Sequence, residues 1–360
     1  MSSGQPAVRK AAPAGVRPTL ATVAAAAGVS VATVSKVLNG RSDVSPATRA
    51  LVESVLRQHD YVAPSPRRGA LAPHPSLEVE FDRDLNPYST EILQGVITAA
   101  TEGGLAVVIS VRSSIRGAPE RPVSWARDLL DAGRRAVVAV TSELGPADVA
   151  ALRRARLPLV VIDPLNLPDT RVTSVGSTNF AGGHTATRHL LERGHRRIAY
   201  LGGPATAACN QARMHGYLAA VQAQGLQVAP ELVHHGHFQY RDGLSFGALL
   251  LDLPQPPTAV FAGNDEQALG VMEAARARGL RIPADLSVVG FDDTQLARMA
   301  SPPLTTVRQP LREMGAVAVR TALRLAAGES VDSHHVELAT ELVVRGSTAP
   351  VPDQAGVGAR

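Results

Sequence analysis

Three short apolar runs in this 360-residue chain end on residues that hydrogen-bond or carry charge. Asp163 follows Val160-Val-Ile162. Asn264 and Asp265 follow Ala259-Val-Phe-Ala262 and one glycine. Asp292 and Asp293 follow Val288-Val-Gly-Phe291. Arg213 stands early in a helical stretch after Leu201-Gly-Gly-Pro204. Carboxylates, an amide and a guanidinium each bridge two vicinal hydroxyls, so such a cluster suits a hydroxyl-rich ligand. Aromatic residues are only 3% of the chain, so those in loops carry weight. Tyr88, Trp125 and Phe238 are candidates for a platform under a sugar ring. Taken singly, each Asp or Asn reads equally well as a turn or cap residue. Asp265 and Asp293 are expected to cap the helices that follow them.

Other chemistries find little support. His234-His-Gly-His237 offers two imidazoles on one strand face, but no acidic or Cys partner lies at a telling spacing, so no metal is expected. Gly103-Gly104, Gly182-Gly183 and Gly202-Gly203 form neither a GxGxxG nor a Walker loop. With no Ser-His-Asp elbow either, neither an enzyme nor a cofactor is expected. The single cysteine, Cys209, rules out an internal disulfide and fits a reducing cytoplasm. Neither a signal peptide nor a membrane-spanning run is expected.

A second constellation lies near the N-terminus, in Thr19–Asn39. Thr19 suits a helix cap. Leu20, Val23, Ala24 and Ala27 then share one stripe, and Gly28 supplies a left-handed stop. Ser30 caps a second helix, in which Val34, Val37 and Leu38 face inward while Ala32, Ser35 and Lys36 face out behind Val31. Pro46 opens a third helix, carrying Leu51, Val52 and Val55. This is a helix-turn-helix pattern, whose second helix enters the DNA major groove. Residues 1–70 hold nine Lys/Arg against three Asp/Glu, a net of +6; the remainder holds 27 against 29, a net of −2. Phosphate neutralisation requires positive charge in that place. Lys36 is the base-edge candidate, with Val31 and Ala32 offering apolar contacts. Ser30, Thr33, Ser35 and Asn39 are suited to phosphates, and Thr19 joins the candidate DNA contacts. One such unit reads few bases, so a homodimer on a pseudo-palindromic operator is expected. No C-terminal leucine heptad suggests a tetramer.

The run Thr19–Asn39, with Asp43-Val-Ser-Pro-Ala-Thr-Arg49 and Tyr61, resembles the headpiece of the lactose-repressor (LacI/GalR) family of bacterial transcription regulators. The resemblance extends from 19 to about 347. It implies a periplasmic-binding-protein-like domain and a repressor controlled by a small molecule, a sugar or glycoside above all. Gly263-Asn-Asp-Glu-Gln-Ala-Leu-Gly270 and Val288-Val-Gly-Phe-Asp-Asp-Thr294 look like the family's cleft signatures, which implies that Asn264 and Asp292 touch the effector. Ala212-Arg-Met-His-Gly-Tyr217 implies the same of Arg213. Phe238 corresponds to an aromatic cover and Asp163 to an acidic contact; Tyr88 joins the candidate set. Residues 63–75, with four prolines, read by composition as a solvated linker. The resemblance implies instead a hinge helix formed on DNA, with Leu71 as a minor-groove wedge. Pro66 fits only at the start of such a helix, and Gly69 costs it about 1 kcal/mol relative to alanine.

The elements that must position these groups read as repeated βα units from Leu77 onward. Strands are predicted over Leu77–Phe81, Leu105–Ser110, Ala136–Val140, Leu159–Ile162, Arg197–Leu201, Ala259–Ala262 and Ser287–Phe291, with helices such as Thr90–Thr101, Ala147–Arg154 and Gly183–Arg193. The fold class is therefore α/β: a three-helix helix-turn-helix headpiece, then two lobes with two doubly wound parallel sheets. The expected divisions are a disordered arm (1–18), the headpiece (19–62), a hinge (63–76), an effector-binding and dimerisation domain (77–347) and a tail (348–360). Within the domain, lobe 1 takes about 77–176 and 304–327, and lobe 2 about 177–302. A different class, an exported sugar-binding receptor, shares the two lobes but leaves the basic headpiece unexplained.

Overall fold

Residues 19–38, 41, 44–58, 74–81, 85–112, 124–142, 144–165 and 172–351 are described by the structure, a computed structural model. The chain divides into two units, 1–72 and 73–360. The expected arm, Asn39, Tyr61 and residues 63–73 of the expected hinge, Leu71 among them, lie outside the described residues. Among those described, no single helix is long and apolar enough to cross a membrane.

In the first unit, α1 (Leu20–Ala27) starts at Thr19, whose hydroxyl accepts the Thr22 amide, and stops at Gly28 in the left-handed region with φ 64°. The turn bends the chain by 100° into α2 (Val31–Leu38), within the range of helix-turn-helix pairs. Ser30 caps α2 by accepting the Thr33 amide at 3.1 Å, and Ser45 caps α3 (Pro46–Gln58) through Thr48 at 3.2 Å. Val23, Ala24, Ala27, Val34, Val37, Val52 and Val55 close a small core among the three helices.

The second unit holds two six-stranded sheets. The first contains β1 (Ser76–Phe81), β2 (Ala106–Val111), β3 (Arg134–Val140), β4 (Leu159–Ile162) and β5 (Thr173–Ser177), flanked by α4 (Pro87–Glu102), α5 (Trp125–Asp131) and α6 (Pro146–Arg154). The second contains β6 (Ile198–Gly202), β7 (Val233–His235), β8 (Ala259–Ala262), β9 (Ser287–Asp292) and β10 (Thr305–Arg308). Its helices are α7 (Asn179–Glu192), α8 (Ala208–Gln222), α9 (Tyr240–Leu251), α10 (Asp265–Arg276) and α11 (Gln295–Met299). The chain then returns to the first lobe for α12 (Leu311–Ala326) and β11 (His335–Leu338), and ends in the second with β12 (Glu341–Val343). Strand orders are β11-β5-β4-β3-β1-β2 and β12-β10-β9-β8-β6-β7, all parallel except β12 on β10. Both follow the 2-1-3-4-5 winding that leaves a crevice at the carboxyl ends of the strands. Each lobe has its own core. Leu77, Val79, Val138, Val160 and Ile162 meet α4 and α12 in one; Leu201, Val260, Val271 and Val288 build the other.

Two boundaries differ from expectation. Leu304–Val307 does not cross back to lobe 1: β10 pairs with β9 in the second sheet, and the return falls at Gln309 and Pro310. The segment is Thr-rich and gives a weak apolar signal, yet its backbone is paired on both sides. The tail does not begin at 348, because Ala349 donates to Ser287 Oγ at 3.1 Å and Val351 to the Arg193 carbonyl at 3.0 Å. Strands β5, β7, β10, β11 and β12 all escape the apolar pattern; they are short, and most carry Thr, Ser, His or Glu.

Candidate functional site

Arg213 shows how the fold builds the crevice between the lobes. It lies on α8, whose glycine side meets α7 closely: a Cβ at Gly183 would stand 2.3 Å from the Arg213 carbonyl oxygen, and one at Gly216 2.2 Å from that of Phe180. That approach brings the guanidinium to Asn179 at the head of α7. Nε donates to Asn179 Oδ1 at 2.7 Å, and Nη1 donates to the Gly263 carbonyl at 2.6 Å and lies 3.9 Å from Asp292 Oδ1. The Phe291 ring lies 3.9 Å beneath it, and Phe238 faces it at 5.6 Å. At 3% exposure, this cation needs every one of those partners.

Asp163 comes from the opposite lobe, at the end of β4. It accepts a 2.6 Å hydrogen bond from the Tyr88 hydroxyl in the first turn of α4. Burial pushes its carboxyl up, while Arg213 and the Tyr88 hydrogen bond pull it back. Burial, then the adjacent Asp163 charge, holds Tyr88 well above its ordinary range, so it stays a phenol that donates. Asp292 is likewise raised well above the ordinary carboxyl range by burial, against the pull of Arg213. Burial works against the charge of Arg213, but Cys209, Asp292 and Asp163 outweigh it and raise its pKa. Cys209 lines the same space, its thiol pushed up to about 11 by burial.

These groups surround a cavity between the lobes. Its lining combines apolar walls with a few placed polar groups, as small-molecule sites do. Tyr88, Asp163, Arg213, Phe238, Asn264 and Asp292 all line it. Four lining residues hold backbones of positive φ: Thr141 at 47°, Asp163 at 43°, Phe238 at 60° and Asp292 at 111°. Strain of this kind persists where the surrounding fold over-determines it, and it clusters at ligand sites.

Some expected roles change. Asn264 lines the cavity but is also the cap of α10: Oδ1 accepts the Gln267 amide and Nδ2 donates to the Phe238 carbonyl, both at 2.9 Å. It thereby clamps the loop that carries Phe238. Asp265 does not cap α10. Its buried carboxylate accepts from the Thr294 amide, the Thr294 hydroxyl and the Thr306 hydroxyl, tying the segments that follow β8 and β9 to β10, and burial raises it to about 7. Asp293 does not cap α11; it pairs with Arg308 at 2.8 Å and Arg345 at 2.6 Å. Trp125 is no platform in the cleft, because it packs beside Val137, Leu152 and Leu157 within lobe 1. The three imidazoles part company: His234 stacks on Phe246, His235 faces Asn210, and His237 lines the cavity.

Asn86, Ser89 and Thr141 also line the cavity without a signal picked out from the sequence, and so does His237, which the sequence offered only as part of a histidine cluster. Thr141 directly follows the run Ala136–Val140, so the rule that found Asp163 would have found it. Asn179 and Gln309, which hold Arg213 and Asp292, carry no such signal.

In the first unit Val31, Ala32 and Lys36 of α2 lie on the exposed side as expected, and Ser35 is less exposed than expected. Val31 is 46% exposed, Ala32 and Lys36 are exposed, and Thr33 and Ser35 are half-buried. Ser30 and Thr19 are exposed but already spend their hydroxyls on caps.

Comparisons with known proteins bear on both units. A model of bacterial regulatory proteins of the lacI family matches residues 19–64, and one of periplasmic-binding-protein-like domains matches 187–348. The HTH-type transcriptional repressor CytR of Escherichia coli is 32% identical over 336 residues, 93% of this chain and 97% of that protein. A transcriptional regulator CelR–cellobiose complex superposes with TM-score 0.68 at 33% identity, covering 92% of this chain and all of that one. A lac repressor dimer bound to operator and the anti-inducer ONPF gives 0.66 at 29%, covering 92% and 99%.

Proposed function

The chain belongs to the lacI family of bacterial regulatory proteins, and we propose that it is a homodimeric repressor whose operator affinity is set by a sugar-like effector held between its lobes. The family consists of DNA-binding transcription regulators, so the function is recognition rather than catalysis. One observation carries the effector reading. Two carboxylates and a guanidinium, each at most 4% exposed, converge from both lobes on one cavity beside an aromatic ring. Buried charges are costly unless partnered, and polyol hydroxyls are partners that both donate and accept. The likeness to a regulator in complex with cellobiose supports a sugar. Asp163 with Tyr88 grips from lobe 1; Arg213 and Asp292 grip from lobe 2, and Phe238 covers the ring. Asn264 holds that cover in place and offers its remaining hydrogen-bonding capacity to the ligand.

On DNA, Lys36 reaches a base edge, Val31 and Ala32 make apolar contacts, and Thr19, Ser30, Thr33 and Ser35 lie near phosphates. Asn39 and Leu71 complete the proposed interface from outside the described residues. The likeness to a repressor dimer on operator supports two copies per site. Membership of a family of bacterial DNA-binding regulators supports a place in the cytoplasm, where the DNA is. The test is retardation of genomic fragments by the purified protein, with and without cellobiose and monosaccharides. Sequence-specific binding changed by a sugar is expected. Sequence-specific binding that no sugar alters would overturn the effector reading, and no specific binding would overturn both.

A further inference from the structure

The three segments that join the lobes are tied by polar contacts that no apolar pattern announces. Ser177 ends β5 in lobe 1, and its hydroxyl donates to Gln309 Oε1 at 2.6 Å. Gln309 lies in the second crossover, and its Nε2 donates to Asp292 Oδ1, also at 2.6 Å. Asp292 faces Arg213 at 3.9 Å, Arg213 donates to Asn179 at 2.7 Å, and Asn179 Nδ2 donates back to the Ser177 carbonyl at 3.1 Å. These contacts close a ring of five residues, none more than 8% exposed. The third crossover joins it through Thr178, which donates its amide to Leu338 and accepts the Thr340 amide on its hydroxyl at 3.0 Å.

We propose that this ring is the latch of the hinge, and that Gln309 is the positioning residue that passes occupancy at Asp292 to the angle between the lobes. Asp292 has one oxygen on Gln309 and one side on the cavity. A ligand that moves or neutralises it alters the acceptor that Gln309 grips. Gln309 is also bound to Ser177 across the lobe boundary, so its amide cannot shift without moving the end of β5. Buried polar contacts of this length rearrange between discrete states rather than stretch, and that is what a switch requires. Neither Ser177 nor Gln309 lines the cavity, so both act on coupling rather than on ligand contact.

The inference rests on the cavity being the effector site, and the experiment separates the two. Operator affinity is measured with and without saturating cellobiose for the full chain, for Ser177→Ala and for Gln309→Met, with cellobiose affinity measured by calorimetry. In Ser177→Ala, cellobiose affinity is expected to stay within about threefold of the parent, while the ratio of operator affinities falls at least about fivefold, a typical coupling factor. Gln309→Met should lose the ratio as well. Both variants keeping the parent's ratio would overturn the latch. If the parent protein does not respond to cellobiose, the effector reading fails for that sugar, and amide exchange on the protein alone decides the latch. The amides of Thr178, Gln309 and Thr340 should then exchange about tenfold faster in both variants; unchanged exchange at all three overturns it.

Discussion

In the headpiece, Lys36 stands exposed on a face whose other members, Val31, Ala32 and Ser35, lie within five residues of it on one helix. In the cleft, Arg213 is 3% exposed, and its hydrogen-bond partners lie 34 and 50 residues away. The first cation lies at the surface, where salt screens it and a phosphate or a base can reach it. The second already holds up the fold that presents it. A surface charge is thus separable from the structure behind it, whereas a buried charge makes recognition and stability the same interaction.

The sharpest test of that contrast is Arg213→Ala. It strips Asp292, Asn179 and the Gly263 carbonyl of a partner, so the effector domain should lose about 3–5 kcal/mol of stability together with ligand affinity, seen by denaturant unfolding and calorimetry. Lost ligand affinity with stability intact would break the comparison.

A pH titration of stability should separate the two units next. Asp265 titrates in the folded protein at about 7, above its value in an unfolded chain, so the folded state holds its proton more tightly. That stabilisation is complete below about pH 4 and lost as pH rises through about 7, with a slope of up to about 1.4 kcal/mol per pH unit. Asp292 acts in the same direction. Asp265→Asn should flatten the slope of the effector domain and leave headpiece unfolding unaltered.

Lys36→Ala should weaken operator binding by about 1–3 kcal/mol and reduce its salt dependence, with effector affinity unchanged and headpiece stability altered by no more than about 0.5 kcal/mol, the scale of a surface substitution. A larger destabilisation here would mean that Lys36 is structural after all. Smallest of all, Ser30→Ala removes the cap on Thr33 and should cost the headpiece about 1 kcal/mol, read from its own melting transition.

How much was legible follows the same division. Thr19, Gly28, Ser30 and the valine stripe are local signals, and all fall where the spacing puts them. That Asp163, Arg213, Phe238 and Asp292 come to one cavity was legible because they follow strong strands or match a family pattern. Trp125 was misjudged, since a lone aromatic gives no sign of which side of a helix buries it. Asp293 was misjudged because its partners, Arg308 and Arg345, lie far along the chain.

The sequence by itself determined the strongly apolar elements and the local faces: the caps at Thr19 and Ser30, the helix-turn-helix pair, the repeated α/β units, and which of the apolar strands end in polar groups. Short-range sterics and hydrophobic periodicity settle those within a few residues. Tertiary structure alone decided that Arg213 rests on Asn179, that Asn264 clamps the Phe238 loop, and that β10 stays in the second sheet until Gln309 carries the chain back. Each of these depends on a backbone group or buried charge finding a partner dozens of residues away, and the free energy of leaving it unpaired registers only once the chain has folded.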